Sequence, residues 1–300
     1  MRLATDGPEG IQWIIEIVDE LGQQRRFGAA ISILNKGRLL HPENAELASL
    51  HGEVLLTIGK ASQAVRILQH AQELKPSDPK IIEMLGIALQ RTGNMGAAVS
   101  LLRKGHRNHP HDLPIAATLG RTLSKAGRFE EAIGLMKYVL AQFPESARVA
   151  STLGTILLDA RDYAAFDELM GEVPQKIARS PRILHVQAYS KFLRYEKEAA
   201  RRILEPVALK QKGVTAITIL YIASAENGDE TLRQMKVQLG RNAFERASLR
   251  AHELHADEAL RTAVSRRYAT PTSPVLRGTH PSPVNRGAIN EMLNREYGNN

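Results

Sequence analysis

The residues best equipped for chemistry in this chain are scattered, and their settings argue against catalysis. Three histidines crowd into Gly105-His106-Arg107-Asn108-His109-Pro110-His111, and imidazole is a common metal ligand. The stretch reads as a helix end running into a turn at Pro110, with Asp112 as its nearby carboxylate, so a metal site is the weaker expectation. Gly93-Asn94-Met95-Gly96 follows a helical pattern rather than a strand and lacks the Lys and Ser/Thr that a phosphate-cradling loop uses. Glu130-Glu131 and the stretch from Asp159 to Asp162 fall at helix starts and turns, where the helix dipole favours acids. Cysteine is absent, which excludes disulfides, thiolate metal sites and a cysteine nucleophile. No nucleophile stands with a base, so we expect a non-enzymatic chain with neither cofactor nor metal.

Composition sets the class. With 43% hydrophobic and 24% charged residues, the 300-residue chain has enough apolar content for a sizeable core, which excludes disorder of the whole. The net charge of +8 is modest over this length and raises nucleic-acid binding only slightly. Asp6 and Glu9 precede the first apolar stretch and break the order of a secretory signal. The longest weakly polar run, Val214 to Ala225, falls short of the roughly 20 residues that span a bilayer. A cytoplasmic chain without membrane insertion is the expectation.

The positioning elements emerge from a repeat. Glycine recurs at Gly52, Gly86, Gly120 and Gly154, each 34 residues after the last. Alanine keeps the same step at Ala30, Ala64, Ala98 and Ala132, and proline at Pro42, Pro76, Pro110 and Pro144. Gly59, Gly93 and Gly127 form a further column, as do Leu34, Leu68, Leu102, Met136 and Met170. Phe27, Met95, Phe129 and Tyr163 make another, weakened to Ala61 in the second unit.

Each column has a job if the unit is a pair of antiparallel helices. Leu47, Leu50, Val54 and Leu55 have helical spacing before Gly59, and Ala64, Ile67, Leu68 and Ala71 have it after. Gly52 and Ala64 are small residues that let the two backbones approach, and Gly59 supplies the positive φ that ends the first helix. Pro76 stops the second helix, and Lys75-Pro76-Ser77-Asp78 is turn chemistry before the next unit.

A helix-turn-helix of this length with Gly, Ala and Pro in those columns resembles the tetratricopeptide repeat. The resemblance implies an all-α, right-handed superhelical solenoid whose work is protein binding. After a lead-in over 1–10 it covers units 11–44, 45–78, 79–112, 113–146 and 147–176. The ends depart from the pattern: Val18 replaces the glycine of the first unit, while the fifth has Arg161 at its turn and Phe166 in the alanine column. Two looser pairs occupy 177–240, with Ala188, Ala200 and Leu204 in one and Ala223 and Gly228 in the other. Phe244, Ala247, Ala251 and Leu254 stripe a capping helix within 241–268.

The resemblance also implies that the first helix of each unit lines a concave groove. Its outward positions begin with Glu46, Ser49 and Glu53, then Lys80, Glu83 and Arg91. They continue through Arg121, Lys125 and Arg148 to Arg182, His185 and Tyr189. From the third unit to the sixth this strip is mainly basic, which suits an acidic peptide or helix of a protein partner. The bland reading is a row of solvated charges. No Asn occurs at these positions, unlike the subclass that grips chaperone carboxyl termini with paired Lys and Asn. The implied role is an adaptor, co-chaperone or assembly factor, of the kind found in bacterial secretion, pilus or polysaccharide machinery. Alternatives are single-stranded RNA binding along the strip, which lacks a regular column of stacking aromatics, and service as the regulatory subunit of a separate enzyme.

The tail over 269–300 is Pro-rich and carries a duplication, Ser273-Pro274-Val275-Leu276-Arg277-Gly278 followed by Ser282-Pro283-Val284-Asn285-Arg286-Gly287. It reads as a linker, or as a paired recognition element with Ser273 and Ser282 as candidate phosphorylation points. Ile289, Met292, Leu293 and Tyr297 then fall at helical spacing.

Overall fold

The computed structural model describes residues 8–210, 215–225, 229–241 and 243–254. The tail motif with Ser273, Pro274, Arg277, Ser282, Pro283 and Arg286 lies outside these residues, as does the part of the cap beyond 254.

Helix pairs follow one another along the chain: α1 (Pro8–Gln23) with α2 (Phe27–Leu40), α3 (Ala45–Thr57) with α4 (Ala61–Leu74), and α5 (Pro79–Arg91) with α6 (Met95–Asn108). Next come α7 (Leu113–Lys125) with α8 (Phe129–Gln142) and α9 (Ala147–Asp159) with α10 (Tyr163–Glu172). After the single turn α11 (Gln175–Ala178), α12 (Pro181–Leu193) pairs with α13 (Lys197–Ala208). Shorter helices α14 (Ala216–Ser224) and α15 (Glu230–Leu239) follow, then α16 over 243–254. The fold is an all-α solenoid with no strand among the described residues. It divides into two compact units, Met1–Ile183 and Leu184–Asn300, with the division inside α12.

The repeat is enforced by local chemistry. Second helices begin at Phe27, Ala61, Met95, Phe129, Tyr163 and Lys197, a constant step of 34. Two residues before each start the backbone takes a positive φ: 81° at Gly59, 82° at Gly93 and 76° at Gly127, but also 57° at Arg25, 60° at Arg161 and 64° at Tyr195. The register therefore persists through α12 and α13 where glycine has gone, at a cost of about 1 kcal/mol for each L-residue held there. First helices are capped by another column. The side chains of Asn44, Asp78, Asp112 and Ser146 accept from the backbone N–H of the residue three positions on, satisfying a donor that the helix leaves unpaired.

In the first unit each pair packs on the next, α4 against α5 and α6 against α7, while neighbouring first helices also touch, α5 against α7 and α7 against α9. Leu34, Leu68, Leu102 and Met136 are fully buried, with Ala30, Ala64, Ala98 and Ala132 beside them in the core. The second unit has its own core of Phe192, Leu204, Leu220 and Tyr221, on which Met235 and Ala251 pack. There Asp229 accepts from Arg201 Nη1 at 2.7 Å and from Tyr221 Oη at 3.2 Å, joining α13 and α14 to the start of α15.

Candidate functional site

In the first unit, successive first helices are joined by polar contacts, and these sort the candidate groove residues into occupied and open. Lys80 Nζ lies 3.0 Å from Glu53 Oε2, an exposed pair worth about 0–1 kcal/mol. Arg91 Nη1 donates to the carbonyl of Leu56 at 2.6 Å, placing a cation at the C-terminus of α3. Thr118 Oγ1 donates to Glu83 Oε1 at 3.0 Å and accepts from Arg121 Nη2 at 2.8 Å, so one buried hydroxyl positions both side chains. The Gln90 carboxamide is held at both ends: its Nε2 donates to Thr122 Oγ1 at 2.9 Å and its Oε1 accepts from Lys125 Nζ at 2.9 Å.

Four of the contacts join residues 35 apart, namely Leu56 with Arg91, Glu83 with Thr118, Gln90 with Lys125, and Ser124 with Asp159. A position in one first helix meets the next position in the following one. Thr118, Gln90 and Thr122 carry no charge and so do not stand out by residue type; comparing each position with the one 35 later pairs Glu83 with Thr118 and Gln90 with Lys125, whereas Thr122 meets Gln90 at a separation of 32.

The open part of the strip is cationic. Arg121 is half-buried, and burial holds its pKa below the ordinary guanidinium value; Glu83 opposes that effect, while Arg148 and Arg182 add to it. Lys125 is likewise lowered, first by burial and then by Arg121 and Arg91, against Asp159. Neither Arg148 nor Arg182 forms an ion pair among the described residues. Arg121 thus feels the charge of two further guanidiniums, opposed by the Glu83 carboxylate. His185 and Tyr189 belong to the second unit, where their rings stack at 6.4 Å and 6° and burial lowers the His185 pKa.

The histidine cluster is taken apart by the fold. His106 Nδ1 is buried without a hydrogen bond, its pKa lowered by burial against a smaller effect of Asp112. His109 Nε2 pairs with the Ser77 carbonyl at 2.8 Å, and His111 meets the Phe143 ring edge-on at 5.9 Å. Among the described residues no three His, Asp or Glu side chains are grouped to hold a metal, and no helix is long and apolar enough to cross a membrane. A separate apolar hollow of 390 Å³ opens between α8, α9 and α10, lined by Leu140, Leu153, Leu157, Leu169 and Val173. It lies where α10 stops after 10 residues instead of the 14 of α8.

Stacked helix pairs in constant register, with first helices bonded to one another, define a helical-repeat solenoid. Residues 123–188 match the family model described as tetratricopeptide repeat. The fold of the chain is similar to that of a tetratricopeptide repeat protein from Parabacteroides merdae, at 12% identity over 80% of this chain and 98% of that one, with a TM-score of 0.54. Pseudomonas aeruginosa pilF is also similar, at 14% identity over 69% of this chain and 94% of that one, with a TM-score of 0.50. No curated protein sequence matches.

Proposed function

We propose that the chain is a non-enzymatic adaptor that takes up an acidic segment of a protein partner along α5, α7, α9 and the start of α12. One observation carries the reading: Arg121, fixed by Thr118 and favoured by the Glu83 carboxylate, lies in the repulsive field of Arg148 and Arg182, neither of which forms an ion pair among the described residues. An incoming carboxylate would relieve the repulsion among them, and little side-chain freedom would be lost because Arg121 is already held. Lys80, Arg91 and Lys125 are engaged within the array and would serve as its frame. The absence of cysteine fits work in a reducing compartment such as the cytoplasm, and the assembly of secretion, pilus or polysaccharide machinery is the setting we propose for such an adaptor.

The test is fluorescence anisotropy with a labelled peptide rich in Glu and Asp, using the full chain and a triple variant Arg121→Glu, Arg148→Glu, Arg182→Glu. Binding that falls at least about tenfold in the variant supports the reading. Equal affinity of the two proteins refutes it. Tighter, salt-sensitive binding of a single-stranded RNA in the same assay would instead make the strip a nucleic-acid surface.

A further inference from the structure

The third residue of each first-helix repeat is Trp13, Leu47, Ile81, Ile115, Val149 and Ile183, spaced by 34. Five of the six are no more than 2% exposed, whereas Trp13 is 40% exposed. The difference follows from what covers them. Leu47 packs with Ala30 and Leu34 of the first pair, Ile81 with Ala48 and Ala71 of the second, and Ile183 beside Met170 of the fifth. Leu47, Ile81 and Ile183 each insert into the pair before their own. Trp13 is the same knob without a described pair to receive it.

We propose that this knob is received by a second copy of the chain, which docks its α15–α16 end on α1. Charge favours that occupant. Over Pro8–Gln23, α1 carries Glu9, Glu16, Asp19 and Glu20 and no Lys or Arg. Glu16 and Glu20 are bonded by the neutral amides of Gln12 at 3.1 Å and Gln24 at 2.6 Å, so their charge is not neutralised. On the other end, α15 and α16 expose Val237 at 85% and Leu249 at 64%. Each stands two residues from a buried anchor, Met235 or Ala247, which is about 200° of helical rotation and points it away from its own core. Lys236, over the Phe244 ring at 5.9 Å, and the exposed Arg246 supply cations that are in no ion pair among the described residues. An α1-to-α1 contact would set acid against acid, so the association is head to tail, and each copy keeps one surface free for the next.

Trp13 is the sole tryptophan, so its emission reports the contact directly. Sedimentation velocity and tryptophan emission of the full chain, from low-micromolar to several hundred micromolar, should show mass rising together with a blue shift. A monomer with unchanged emission across that range overturns the proposal. Trp13→Glu and Val237→Glu, checked for native circular dichroism, should each weaken association about tenfold or more. Mixed together they should form a one-to-one dimer, because the first keeps an intact α15–α16 end and the second an intact α1. Association that persists in Trp13→Glu, or a mixture that stays monomeric while wild type associates, rejects the head-to-tail contact.

Discussion

Gly52 lies against Leu68 with no room for a methyl group: a Cβ at position 52 would stand 2.4 Å from Leu68 Cγ and 2.5 Å from its Cδ2. The same closeness recurs one repeat on, where Gly86 would meet Leu102 at 2.6 Å. Both leucines are fully buried and cannot swing aside. Gly52→Ala and Gly86→Ala should each cost about 2 kcal/mol in urea unfolding, as overpacked cores do. At Gly120 the neighbour is Met136, whose unbranched side chain can rearrange, so Gly120→Ala should cost less. Equal losses at all three positions would show that shape at the crossing is not the cause.

Arg161 and Tyr195 hold φ of 60° and 64° at the turn where other pairs place glycine. Arg161→Gly should raise stability by about 0.5–1 kcal/mol, the relieved strain exceeding the extra freedom of the unfolded chain. Gly93→Ala, at φ 82°, should lower it by a similar amount. Calorimetry that finds no rise for Arg161→Gly would contradict this account.

His51 is buried in α3, its Nδ1 3.4 Å from Arg38 Nη1, and burial together with that guanidinium lowers its pKa to about 4. The unfolded chain takes up a proton near the ordinary 6.5, before the folded one does. Stability from this group is thus complete above about pH 6.5 and is lost as pH falls toward 4, by up to about 3 kcal/mol. His51→Gln should flatten the fall; parallel urea-unfolding profiles of wild type and variant between pH 7.5 and 4.5 would refute the assignment.

Thr118→Val keeps the shape of a buried side chain but removes the oxygen shared by Glu83 and Arg121. Stability should fall by about 1–3 kcal/mol, the net worth of the two lost hydrogen bonds. Affinity for the acidic peptide should fall further, as Arg121 loses its fixed direction. An unchanged peptide affinity would separate the Thr118 bridge from binding.

The helix pairs were legible because some columns admit few residue types: Gly52 has no space for a methyl, and Pro76 follows directly on the end of α4 and its C-cap Lys75. The caps Asn44, Asp78, Asp112 and Ser146 share the same step without sharing a residue type, because several side chains serve that role. The candidate site was less visible. Charge singled out Arg91, Arg121 and Lys125, but their roles depend on neutral neighbours and on a backbone carbonyl at Leu56. Only the stacking of one first helix on the next, which carries a 34-residue period into a 35-residue contact, brings those groups together. That Arg161 and Tyr195 would keep the turn could not be read from residue type, since neither favours positive φ.

The side-chain bonds between α5 and α7 have a consequence for how the first unit comes apart. Three of them, from Glu83 and Gln90 to Thr118, Thr122 and Lys125, fasten a single junction. In an array whose members hold mainly to their neighbours, loss of structure advances pair by pair, and each junction sets how far it goes. The riveted α5–α7 step is where such an advance stalls, so amide protons of these two helices should be the slowest in the first unit to exchange with solvent. The same step is the natural seed for refolding, and it puts the frame of the cationic strip in the part of the stack that is last to open.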